Sequence, residues 1–307
     1  NITGQPEKKQ MIAIDRGYHG GSSAGAGITG LSAFHTNFDA PGSGQHHIPA
    51  AYPYRFPGSD ADLIAASVAH LHAKVAEVGG PEKVAAFFAE PVVGSGGVIV
   101  PPDGWLRAMR KACRDLDLLF VADEVITGFG RTGPLFGSQH DGIEPDLMTV
   151  AKGLTSGYVP MGATFLSDRI YRAIADLTPA GTMIGHGQTY SGHPVSAAVA
   201  LEVLRLYEQG GILSNGQRSG AHLGTALARL TRHPLVGDIR SRGMLAGIEL
   251  VVNKAKKTAP SATCCCRWRA SANCPCLCWA STTPTAGTRL KGRLASASTS
   301  TLIWSPR

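Results

Sequence analysis

The chain has 307 residues, 43% hydrophobic and 17% charged, enough to bury a sizeable core as one large domain or two smaller ones. No apolar run reaches the ~18 residues that a membrane helix needs, and Asn1 to Pro6 offer neither an initiator Met nor the apolar centre of a signal peptide, so the start reads as a fragment edge. A net charge of +7 ordinarily points to nucleic acid or a membrane surface, but every acidic residue lies at or before Glu249 and nine basic residues after Val252 supply the excess, so neither partner is expected.

In chain order, Lys9 to Asp15 (KQMIAID) has the composition of a strand. Gly25-Ala-Gly27-Ile-Thr-Gly30 matches the letters of a dinucleotide-binding turn, but no apolar strand runs directly into it and Asp39 sits among Pro and Gly. It reads as a tight loop. His46-His47, and His70 with His72, lack a metal partner set and read as solvated or packed. Asp60 to Val78 carries apolar residues at helical spacing and stops at Gly79-Gly80-Pro81. Lys83 to Ala89 (KVAAFFA) reads as a buried strand with Glu90-Pro91 at its exit. Gly94-Ser-Gly-Gly97 lacks the Lys of a phosphate cradle and reads as a loop. After Pro101-Pro102, Asp103 is placed to cap a helix reaching about Leu116. Leu118 to Ala122 (LLFVA) is a second buried strand, delivering Asp123-Glu124, and Leu147 to Ala151 (LMTVA) is a third, short strand, delivering Lys152. Pro194 to Tyr207 and Leu223 to Leu230 read as helices, and Leu245 to Val252 (LAGIELVV) as a strand.

This alternation predicts an α/β fold with a mainly parallel sheet flanked by helices. The expected organisation is a large domain over residues 1–200, the start of a small C-terminal α/β domain over 201–257, and a separate stretch, 258–307. That last stretch has no Asp or Glu and no useful periodicity, and it holds six of the seven Cys and three of the four Trp. Such a break suits a shifted reading frame better than a solvated tail. Cys264-Cys265-Cys266 and Cys274-Pro-Cys276-Leu-Cys278 lack paired C-x2-C spacing, and no His follows His233, so no metal site is expected. Cys113 alone lies in the body, which suits a reducing, cytoplasmic setting.

Glu90, Asp123 and Lys152 each follow a buried apolar run directly. Ligands of open parallel sheets bind at the carboxyl edge of the strands, although a set of structural ion pairs at the sheet rim has the same appearance. The surrounding motif decides between them. Asp123-Glu-Val-Ile-Thr-Gly-Phe-Gly-Arg-Thr-Gly133, followed by Pro145-Asp-Leu-Met-Thr-Val-Ala-Lys152-Gly153, closely resembles the signature of the class III pyridoxal-phosphate (PLP) aminotransferases. Gly17-Tyr-His-Gly20, Ala89-Glu-Pro91, Gly94 to Pro102, Gly157 to Ala163 and His186-Gly-Gln-Thr-Tyr-Ser-Gly-His-Pro194 agree with it. The resemblance runs from residue 5 to about 257 and is closest to the omega-amine:pyruvate branch.

This resemblance implies PLP-dependent transferase fold type I, pyridoxal 5'-phosphate as cofactor, and ping-pong transfer of an amino group from an amine or omega-amino acid to a keto acid such as pyruvate. Lys152 is implied to carry the cofactor as a Schiff base, which requires a neutral amine, and then to move the proton between substrate and cofactor carbons. Asp123 is implied to face the pyridine nitrogen, Val125 to pack under the ring and Tyr18 to stack over it. His19 follows Tyr18 in the motif, and Arg131 in the Gly-Phe-Gly-Arg turn has a pairing or a substrate role. Glu90 is implied to lie near the substrate pocket. Thr189 matches a threonine that reaches the phosphate of a neighbouring subunit, hence a homodimer with shared sites. The family's phosphate loop precedes the Tyr-His-Gly segment, outside this chain, and its carboxylate-binding arginine falls where the C-terminal stretch has lost all resemblance. A fragment without a working site, or an aminomutase or decarboxylase of the same family, are the alternatives.

Overall fold

Short apolar runs form the centre of a six-stranded sheet in a computed structural model that describes residues 1–179, 181 and 187–260. The strands are β1 (Gln10–Ile14), β2 (Gln45–Ile48), β3 (Val84–Ala89), β4 (Leu119–Asp123), β5 (Leu147–Val150) and β6 (Ala163–Leu166), in the spatial order β2-β1-β3-β4-β5-β6. The first five are parallel, and β6 runs antiparallel to β5. The mainly parallel sheet is thus as expected. Its two edge strands, Gln-His-His-Ile and Ala-Thr-Phe-Leu, are too short or too polar to stand out as buried runs.

Among the described residues six helices accompany the strands: α1 (Ser23–Ile28), α2 (Asp60–Glu77), α3 (Trp105–Asp115), α4 (Asp168–Leu177), α5 (Pro194–Gln209) and α6 (Ile212–Ala228). Alternate strand residues, Ile12 and Ile14, Phe87 and Ala89, Phe120 and Ala122, share one buried cluster with Leu63, Leu71 and Val75 of α2 and Trp105, Leu106 and Met109 of α3. The period of two along each strand puts these side chains on one face. Each fully buried Leu, Ile or Phe among them contributes about 1.5–3 kcal/mol. A second cluster joins Phe129, Val150 and Leu154 to Ala200 of α5, with Leu204 and Tyr207 packed against it.

Local chemistry sets the helix starts. Ser59 and Asp62 exchange side-chain-to-backbone bonds at the head of α2, a reciprocal cap that satisfies two otherwise orphaned N–H groups. Asp103 does not cap α3 as expected. The cap position falls on Gly104, and it is Asp141, reaching from the 3-10 turn Gly137–Asp141, that accepts the N–H groups of Gly104 (2.9 Å) and Arg107 (3.2 Å). Asp103 pairs instead with Arg242 at 2.7 Å. The glycine triplet differs from expectation too: Gly25 to Ile28 lie in α1 rather than a tight loop, because Ser22 accepts the Gly25 N–H and starts a short helix. His46 and His47 lie on β2, bonded to Gln10 Oε1 and to the Ile28 carbonyl. The helix read at Leu223 to Leu230 begins earlier, at Ile212, and passes into a 3-10 turn at Arg229.

The chain divides into two compact units. Among the described residues, one comprises Asn1–Ala226 and Arg240–Gly247, and the other Leu227–Ile239 with residues 248–260. In the second, the Val251 N–H donates to the Leu235 carbonyl and Lys254 Nζ to the Thr231 carbonyl. Strands β7 (Val236–Arg242) and β8 (Leu245–Leu250) pair with each other. The cysteine-rich stretch Cys264 to Cys278 lies outside the described residues. Among the described residues no helix is long and apolar enough to cross a membrane, and no group of three or more His, Cys, Asp or Glu is arranged to hold a metal.

Candidate active site

Four neighbouring parallel strands, β1, β3, β4 and β5, deliver their exits to one edge of the sheet. Tyr18 and His19 follow β1, Glu90 follows β3, Asp123 ends β4, and Lys152 follows β5. The ladder alone therefore gathers residues more than a hundred positions apart. Asp123 is buried. Its Oδ1 accepts the Val125 N–H at 3.0 Å, and its Oδ2 lies 2.8 Å from His19 Nδ1. The His19 side chain is itself 3% exposed, and its Nε2 is buried without a hydrogen-bond partner among the described residues.

Glu90 is buried behind this pair, with Oε1 accepting the Tyr18 N–H and Oε2 the Gly94 N–H, each at 2.9 Å. These two bonds tie the exit of β1 to the Gly94 turn. Loss of solvent pushes the Glu90 carboxyl up to about 7, with His19 opposing the rise and Asp123 adding to it. Gly17 lets the backbone pass close here: a Cβ at that position would stand 3.0 Å from His19 Nε2 and 3.1 Å from the Ile14 carbonyl, tighter than ordinary contact.

Lys152 starts a 3-10 turn with φ +43°, a left-handed conformation that disfavours any side chain. Much of the residue faces solvent, yet partial burial of the amine holds its pKa below the ordinary lysine value, against the opposing pull of Asp123 and Glu90. Beside Asp123, Glu124 is fully buried and accepts from Thr127 Oγ1, Gly137 N, Ser138 N and Ser138 Oγ. It braces the turn that leaves β4, a role the motif alone does not reveal.

The other expected residues fall in two groups. Val125 is half-buried beside Asp123, and the Tyr18 ring meets that of Phe34 at 5.2 Å between centroids. Thr189 stands apart, in an exposed turn where the Gln188 N–H donates to Ser191 Oγ. No hydrogen bond or ion pair among the described residues joins it to the Asp123 cluster. His186, the first residue of its motif, lies outside the described residues. Arg131 contributes its backbone carbonyl, which accepts the Met244 N–H. Sequence reasoning also left open what His19 does; its bond to Asp123 spans 104 positions and has no local signature.

Comparison with known proteins gives the family and the fold. The profile of the family aminotransferase class-III matches residues 1–270, and the chain belongs to that family. A putrescine–pyruvate aminotransferase of Pseudomonas aeruginosa is 46% identical over 254 residues, which cover 82% of this chain and 55% of that protein. A diaminobutyrate–2-oxoglutarate transaminase of Halomonas elongata is 41% identical over 262 residues, covering 84% and 56%. Among solved structures, the omega transaminase from Pseudomonas jessenii in complex with PMP superposes with a TM-score of 0.82 at 42% identity, over 85% of this chain and 58% of that one. The chain shares the fold of the PLP transaminases and spans about half the length of the curated relatives it matches.

Proposed function

We propose that this chain carries the chemical centre of a PLP-dependent transaminase that moves an amino group from an amine or omega-amino acid to a keto acid. The observation that carries the proposal is the delivery, by adjacent strands, of a carboxylate (Asp123) and an amine with a lowered pKa (Lys152) within a class III framework. This donor set suits pyridoxal phosphate: an amine for the aldehyde, a carboxylate for the ring nitrogen, and Tyr18 and Val125 for the two ring faces. When bound, the cofactor supplies a carbonyl that takes up nitrogen and a ring that withdraws electrons. The chain's residues do the rest. Asp123, held at both oxygens by the Val125 N–H and by His19, would be the carboxylate that holds a proton at the ring nitrogen. Lys152 Nζ, easily made neutral because burial lowers its pKa, accepts a proton from the substrate carbon and returns it.

The names of the relatives support a substrate with an amino group remote from any carboxylate, since putrescine and gamma-aminobutyrate share that feature. Assembly as a homodimer is part of the proposal. Thr189 is exposed, and so are the large apolar residues Tyr158, Phe165, Tyr190, Val195 and Leu201, which cluster in the same part of the sequence.

The test is an absorbance spectrum of the purified chain with PLP, before and after borohydride, followed by peptide mapping. A reduced adduct on Lys152, absent in Lys152→Ala, is expected, together with keto-acid-dependent amine consumption by the complete enzyme. An adduct at another lysine, or full transaminase activity in Lys152→Ala, sinks the assignment. Release of carbon dioxide in place of amine transfer favours a decarboxylase of the same family.

A further inference from the structure

Lys152 and Phe129 are both non-glycine residues with left-handed backbone, φ +43° and +60°. Such conformations persist only where the surroundings hold them. Both are held from the same place. On α5, the Tyr207 hydroxyl donates at 3.0 Å to the carbonyl of Gly153, the residue after Lys152, and lies 3.4 Å from Ser156 Oγ in the same turn. The Tyr207 ring stacks on Phe129, 5.7 Å between centroids at 21°. Phe129 in turn fills the space over Gly153 so closely that a Cβ there would stand 2.8 Å from its ring.

We propose that Tyr207 is a positioning residue for Lys152: its hydroxyl and its ring together lock the strained turn that presents Lys152 at the exit of β5. The role deepens the transaminase reading and rests on it for its catalytic meaning, although the geometry stands without any cofactor. Among the described residues, the carboxylates of Asp123, on β4, and Glu90, at the exit of β3, act on the amine electrostatically, and Tyr207 closes the turn from α5. If the turn relaxes, the amine gains solvent and loses the burial that makes it easy to deprotonate.

The experiment is cofactor-free. Wild type, Tyr207→Phe and Tyr207→Leu are labelled with an acylating reagent across a pH series, and the extent of labelling at Lys152 is read by peptide mass spectrometry, with exposed Lys111 as internal control. The labelling midpoint of Lys152 is expected to rise in Tyr207→Phe, which keeps the ring and loses the hydroxyl, lowering the labelling rate below the midpoint by roughly threefold or more. It is expected to rise further in Tyr207→Leu, and Lys111 is expected to be unchanged in both. Superimposable Lys152 profiles in wild type and Tyr207→Phe overturn the proposal, and Tyr207→Phe decides the matter even where Tyr207→Leu does not fold. A wild-type chain that forms no borohydride-reducible PLP adduct at Lys152 counts against a working cofactor site in this chain instead, while the apo labelling comparison keeps its meaning.

Discussion

At the exit of β3, Glu90 takes up two backbone N–H groups, yet loss of solvent pushes its pKa up to about 7 from an ordinary 4.5. Between those values the folded chain holds a proton that the unfolded chain has released, so stability falls as pH rises through that window. In Glu90→Gln no such proton exists. The variant is expected to lose less of its thermal midpoint than wild type between about pH 5 and about pH 8, even though one backbone N–H gives up its acceptor and lowers the starting value. Parallel pH profiles for the two proteins would contradict the burial argument. Residue by residue, what the sequence reveals follows strand exits. Asp123 and Lys152 stand directly behind apolar runs and inside a long motif. The His19 to Asp123 bond and the Tyr207 to Gly153 bond join segments 104 and 54 positions apart, and no spacing rule reaches that far.

Among the elements, the strands β1, β3 and β4 and the helix α2 are legible because burial along a strand, or on one helical face, demands a recognisable pattern, and the short β5 is legible from its apolar run alone. Edge strands make no such demand, which is why β2 and β6 are hard to read. The cap of α3 escapes a sequence reading for a related reason. Asp103 sits at the right place in sequence, but its side chain is 84% exposed and paired with Arg242, whereas Asp141 arrives buried from a distant turn. Thermal melts should separate the two. Asp141→Ala removes the acceptor of two helix-start N–H groups at a buried site and should cost about 2 kcal/mol. Asp103→Ala breaks an exposed ion pair and should stay within about 0.5 kcal/mol of wild type. Equal losses would return the capping role to Asp103.

For the molecule as a whole, ligand binding and stability are linked. A cofactor that binds only the folded chain raises its stability in proportion to the logarithm of concentration, about 2.7 kcal/mol at a hundredfold excess over Kd. The thermal midpoint is therefore expected to climb steadily with added PLP in wild type and to climb far less in Lys152→Ala, as read by calorimetry at fixed protein concentration. An equal climb in both would mean that the stabilising contact lies elsewhere.

The order β1-β3-β4-β5 has one more consequence. Hydrogen bonding fixes adjacent strands about 4.8 Å apart, so the sheet edge acts as a ruler whose graduations are backbone, not side chain. Each graduation carries one chemical group: histidine, glutamate, aspartate, lysine. Evolution or an engineer can exchange the group at one mark without moving the others, and new chemistry on this scaffold is then a matter of re-lettering the scale rather than redrawing it.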